Sequence, residues 1–130
     1  MPLVHITIVK GRDAAAKQAL MDAVHGALME AFGIPENDQQ QRISELRRED
    51  FKIPPHCSDD FILLDITVFA GRSVDAKRAL YRAVVRNLEE RCGVAPTDVF
   101  ITLDERPLEN WGLRGGTAGC DIDFGFKIDV

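Results

Sequence analysis

The sequence predicts an α/β fold of two tandem, pseudo-symmetric βαβ units, forming a four-stranded sheet with two helices on one face. Three observations predict it. Ile8 to Asp38 aligns with Val68 to Asp98 without a gap, at a constant offset of 60 residues. Each copy opens on a β-branched, apolar run and continues into a segment whose apolar residues recur at three and four. Each then meets a glycine and a proline before a second apolar run. Two copies fall short of a solenoid, which needs at least roughly three repeats.

Leu3–Val9 and Phe61–Phe69 read as the opening strands, apolar enough to be covered on both faces. Gly11-Arg12 and Gly71-Arg72 end them, and Asp13 or Ser73 can cap the helix that follows. Ala16, Ala19, Leu20, Ala23, Val24, Ala27, Leu28 and Ala31 form the first apolar helix stripe. Ala76, Ala79, Leu80, Ala83, Val84 and Leu88 repeat it. Gly33 and Gly93 stand where a left-handed stop belongs, with Pro35 and Pro96 soon after. Gln41–Leu46 and Val99–Leu103 close the units, each crossover right-handed and each strand pair parallel. Helices on one face leave the other bare, so apolar strands there predict oligomerisation.

The whole chain, 1–130, is expected to be one domain. Repeat 1 spans about 2–47, a linking loop about 48–60, repeat 2 about 61–106, and a C-terminal segment 107–130. Within the last, Leu108–Asp121 is Gly-rich and Ile122–Val130 is a candidate strand or hairpin. A chain of this length can bury about two-thirds of its unfolded surface. Hydrophobic residues at 45% and charged residues at 28% give an ordinary globular balance.

A net charge of −5 gives no general electrostatic reason to bind nucleic acid or an anionic membrane. The start lacks a charged segment leading into an apolar run, so no signal peptide is expected. No apolar stretch approaches the roughly 20 residues of a membrane helix. Cys57, Cys92 and Cys120 are an odd set without CxxC spacing, which fits free thiols in a reducing, cytoplasmic setting. His56-Cys57 lacks zinc spacing, so no metal is expected. His5 and His25 read as packed residues. The glycines from Gly115 to Gly119 follow no strand and precede no Lys-Ser/Thr, which disfavours a phosphate loop.

Pro2 is the residue with distinctive chemistry. Methionine before a small residue is normally trimmed, which would leave a secondary amine on a rigid ring. A free α-amino group titrates near ~7.7–8.0, and burial or a nearby cation lowers it. Poised near neutrality, such an amine shuttles protons at a carbon beside a carbonyl. Met-Pro is also simply a common start.

Pro2 opening an apolar strand, Gly11-Arg12, the Lys17-bearing helix and the duplicated Gly71-Arg72 together resemble the tautomerase superfamily. The double-length form is similar to the malonate semialdehyde decarboxylase group, with Ser58-Asp59-Asp60, Ala70-Gly71-Arg72 and Asn110-Trp111-Gly112 in the likeness. The resemblance implies a homotrimer, without cofactor or metal, acting on a small carboxylate substrate. Pro2 would be the general acid/base, and Asp38 a carboxylate beside it that orients water or a proton. Asp38 also has a twin in Asp98 and reads equally as a turn residue. Arg72 would grip the substrate carboxylate, against a plain surface arginine. Arg12, its first-copy twin, would reach a neighbouring subunit's site. Trp111 would wall the pocket, or pack subunits, or both.

Ile62, the counterpart of Pro2, is internal and has no amine, which leaves one site per chain. Where the decarboxylase group has a second arginine, this chain has Ala70. The resemblance therefore favours keto–enol tautomerisation of a small α-keto or enol acid. Decarboxylation or hydration of a three-carbon acid is the alternative, and a non-catalytic trimeric binding protein the other class.

Overall fold

The computed structural model describes residues 2–130. Its elements follow the repeat. β1 (Leu3–Val9), α1 (Ala14–Phe32) and β2 (Gln40–Leu46) form the first unit; β3 (Ile62–Phe69), α2 (Val74–Cys92) and β4 (Val99–Arg106) form the second. Both helices start and stop where the sequence expects. Asp13 Oδ1 accepts from the Ala16 N–H at 2.8 Å, and Ser73 Oγ from the Ala76 N–H at 3.1 Å. Gly33 (φ 67°) and Gly93 (φ 69°) take the left-handed conformation that a Cβ disfavours, and their N–H groups return to the last helical turns.

The sheet order is β2-β1-β3-β4, parallel within each unit and antiparallel at the β1–β3 seam. That seam pairs Leu3 with Thr67 and Ile8 with Ile62. The head of β1 therefore lies beside the tail of β3, so Pro2 is carried toward Gly71-Arg72. The tail of β1, with Arg12, is carried to the other end. This register is the main thing the fold does for the candidate site.

Period-2 alternation sends Val4, Ile6 and Ile8 of β1, and Ile62, Leu64, Ile66 and Val68 of β3, into the layer beneath the helices. There they meet Leu20, Val24, Leu28, Leu80, Val84 and Leu88. Truncating a fully buried leucine in this layer to alanine should cost about 2–5 kcal/mol. Asn87, buried between the helices, is satisfied by donating to the Ala23 carbonyl at 3.0 Å. Matching ion pairs tie each helix to its closing strand, Lys17–Glu45 and Lys77–Glu105. The first holds the Glu45 carboxyl below its ordinary value, chiefly through the Lys17 hydrogen bond.

As expected, the sheet face away from the helices carries apolar residues: Leu3 and Phe100 are exposed there, Val9 and Leu63 lie under the linker, and Phe69 lies under Trp111 and Phe124. Polar residues share it. His5, Thr7, Asp65, Thr67, Thr102 and Asp104 alternate onto it, with His5 bonded to Ser44 at 2.7 Å and Thr102 to Asp65 at 2.6 Å. One expectation needs correction: Ile122–Val130 forms no strand. The hairpin lies upstream, β5 (Gly112–Leu113) against β6 (Thr117–Ala118). The tail instead crosses the start of α2, where the Ser73 N–H donates to the Val130 carbonyl at 2.8 Å and Ile128 packs near Gly71.

No helix among the described residues is long and apolar enough to cross a membrane. All three cysteines are free thiols.

Candidate active site

Pro2 is buried at the head of β1. The trimming of Met1, on which its amine depends, lies outside the described residues. Gln40, first residue of β2, connects Pro2 to Asp38. With the amide oriented to give both neighbours a donor, its nitrogen reaches Asp38 Oδ1 at 3.0 Å and the Pro2 carbonyl at 3.3 Å. Asp38 is half-buried and ends a tight turn, its N–H donating to the Pro35 carbonyl at 3.1 Å. His25 steadies the same loop from α1. The ring is buried and its Nε2–H donates to the Glu36 carbonyl at 2.7 Å, so it is packed, as expected.

Arg72 approaches from the tail of β3. It is only 6% exposed, donates from Nη1 to the Phe69 carbonyl at 3.0 Å, and lays its guanidinium over the Phe32 ring at 4.7 Å. Burial pushes the guanidinium below its ordinary pKa, with Glu105 and Asp38 close enough to pull the other way. Its Nε–H is buried without a partner. A buried cation with an unused donor suits an incoming anion, because the desolvation cost is already met before binding.

Beside Asp38 and Gln40 opens a pocket of about 280 Å³, whose walls also include Pro35, Asn37, Arg114, Phe124 and Phe126. Trp111 stands behind this wall rather than in it. Its ring meets Phe69 edge-on at 4.8 Å, Phe69 meets Phe124 at 4.8 Å, and the indole N–H donates to the Arg106 carbonyl at 3.3 Å. An aromatic chain thus runs from Trp111 to the pocket and excludes water from one side.

Of the expected site residues, Pro2, Asp38 and Arg72 gather at one end of the sheet, with Trp111 supporting them. Arg12 does not join them within the chain. It lies at the opposite end, donating to the Asp60 carbonyl at 3.3 Å and facing the Asp60 carboxylate at 3.7 Å. Ala70 is exposed and offers only its backbone N–H, bonded to the Arg106 carbonyl at 2.9 Å. Sequence reasoning missed Gln40, Arg114, Phe124 and Phe126. The Arg-Gly-Gly turn and the Phe-x-Phe spacing were visible signals, but neither says which part of the fold the tail revisits. Among the described residues no group of three or more His, Cys, Asp or Glu is placed to hold a metal ion.

Comparison with known proteins fits this geometry. Two family models, both described as tautomerase enzyme, match residues 38–114 and 2–59. The chain belongs to the tautomerase family. Two probable tautomerases of Bacillus subtilis (strain 168) match over 123 residues. YusQ is 30% identical over 91% of this chain and 97% of its own; YrdN is 28% identical over 91% and 95%. Among solved structures, malonate semialdehyde decarboxylase is 32% identical, with a TM-score of 0.81 over 87% of this chain and 92% of that one. A fused 4-OT, 19% identical with a TM-score of 0.81 over 91% and 96%, shares the fold.

Proposed function

We propose that this protein is a cofactor-independent keto–enol tautomerase acting on a small α-keto or enol carboxylic acid. With Met1 removed, Pro2 moves the proton between oxygen and carbon. Asp38 orients the enol hydroxyl or a water, the buried Arg72 cation helps hold the substrate's negative charge electrostatically, and Trp111 keeps the aromatic wall dry. The observation that carries the reading is the Gln40 bridge between Pro2 and Asp38 at the edge of a pocket, with the buried Arg72 nearby. The neutral amine is the form that can accept a proton.

Decarboxylation with hydration is the second reading. It is favoured by the 32% identity to malonate semialdehyde decarboxylase, whose described activities are decarboxylase and hydratase. Ala70 weighs against it, since it adds no cation to hold a β-keto acid. Assembly as a homotrimer is supported by a fused 4-OT described as a symmetric trimer. In such an assembly Arg12 would serve a neighbour's site, because its own chain places it far from Pro2. The free cysteines support a cytoplasmic setting.

Intact mass first establishes whether Met1 is absent. Ketonisation of a panel of enol acids is then followed for the processed protein and for Pro2→Ala. The variant should lose about 100-fold or more in kcat, as removal of a general acid/base does. Full activity in Pro2→Ala defeats the mechanism. A processed protein inert toward enol acids and malonate semialdehyde alike leaves the scaffold a binding protein.

A further inference from the structure

Arg72 does not line the pocket; its guanidinium is covered by Phe32 and spends Nη1 on the Phe69 carbonyl. The cation that does line the pocket is Arg114, at the tip of the β5–β6 hairpin. Its backbone is held at φ 48°, the one positive φ outside glycine among the described residues. Gly115 follows at φ 78°, and the Gly116 N–H closes the turn on the Leu113 carbonyl at 3.0 Å. Arg114, Gly115 and Gly116 (φ 105°) form a three-residue hairpin loop with three successive positive φ values, positions that ordinarily fall to Gly, Asn or Asp. An arginine there is strained, and strain of this kind is a pointer to function. The guanidinium lies over the Phe124 ring, 5.7 Å from its centroid, which fixes a side chain that would otherwise be free in solvent.

Asp38 stands in the same pocket wall, so the space is polar at both ends and apolar at Phe124 and Phe126. Such a pocket orients a small acid in one direction. Its carboxylate is drawn to the planar fork of an arginine and repelled by Asp38, while an enol hydroxyl can donate to Asp38. We propose that Arg114 is the residue that captures and orients the substrate carboxylate in this pocket, a specificity determinant distinct from the buried Arg72. The inference rests on the tautomerase reading for the identity of the ligand, but not for the binding it describes.

Calorimetric titration with 3-phenylpropionate and with its uncharged amide tests this without turnover. Arg114→Asn suits the left-handed turn while removing the charge, so the hairpin is preserved. It should weaken the acid about tenfold or more and leave the amide unchanged. Arg114→Lys, which keeps charge but loses the fork, should fall between. Arg78→Gln, on the exposed face of α2, should bind both probes as the wild type does. Acid affinity within twofold of wild type in Arg114→Asn, equal loss for acid and amide, or no measurable acid binding by the wild type would each overturn the proposal. A protein that ketonises enol acids yet binds 3-phenylpropionate independently of Arg114 refutes this inference alone. One that binds through Arg114 but ketonises nothing refutes the tautomerase reading alone.

Discussion

The Pro2 end and the Ile62 end of the sheet descend from the same repeat and carry the same residue types, yet their chemistry differs. Asp38 and Asp98 are twins. Asp38 is half-buried at an open pocket; Asp98 is 4% exposed and saturated by Ser58, whose N–H reaches Oδ1 at 2.7 Å and whose Oγ reaches Oδ2 at 2.6 Å. Arg72 and Arg12 diverge likewise, the first buried with a spare donor, the second bound to Asp60 of the linker. What separates the ends is the chain that visits each. The linker folds over the Ile62 end as an apolar plug, with Phe51 and Phe61 edge-on at 5.5 Å and Ile53 packed against them. The C-terminal segment covers the Pro2 end but leaves a pocket lined by Phe124 and Phe126. The repeat provides two related ends, and the added segments shape them differently: the linker buries Asp98 but leaves a pocket of about 270 Å³ beside Arg12 and Asp60.

Paired substitutions test this contrast. The largest effect is expected from the arginines. Arg72→Met should lower kcat/KM for an enol acid by about 10-fold or more, because it removes the buried cation that favours a bound carboxylate. Arg12→Met should change it by less than about threefold under conditions where subunits are dissociated. Equal losses at both positions would mean that the two ends are functionally equivalent.

The aspartates should show a crossed pattern. Asp98→Ala orphans the Ser58 N–H and should cost about 1–3 kcal/mol in urea unfolding, with kcat nearly unchanged. Asp38→Ala should lower kcat by about tenfold and shift stability by less than about 1 kcal/mol. If Asp98→Ala also abolishes turnover while the fold persists, the Ile62 end is not merely structural.

The smallest effect concerns thiol reactivity. Burial, and then the charge of Asp98, push the Cys57 thiol up, so at a given pH it holds less reactive thiolate than an ordinary cysteine. Asp98→Asn removes the second cause and should speed alkylation of Cys57 while leaving Cys92 unaffected. Cys92 is raised chiefly by its own burial. Mass spectrometry of a timed iodoacetamide reaction reads both sites at once.

Much of this fold was legible because local signals and the repeat agree. Asp13, Ser73, Gly33 and Gly93 bound the helices as capping chemistry requires, and the strand alternation gives the buried face of the sheet. Pro2, Asp38 and Arg72 were legible as candidates through a family resemblance, which carries positions but no distances. How much of the face away from the helices is polar was not legible for a specific reason. Residues such as Thr67 and Thr102 are good strand formers, and β-propensity reports fit to a pleated surface, not which side faces water.

The sequence by itself determined the two βαβ units, their caps, the apolar layer beneath the helices and the absence of a second N-terminal amine. All of these depend on residues near one another in the chain or at a fixed repeat spacing. Tertiary structure decided which end of the sheet gathers the candidate site residues. The antiparallel seam puts Pro2 at the same end of the sheet as Arg72 and sends Arg12 to the other, because pairing direction is a long-range choice. It also decided that the hairpin and the tail bring Arg114 and Phe124 to Asp38 while the linker buries Asp98. No local pattern encodes those returns, since they are fixed by which surfaces remain open once the core has packed.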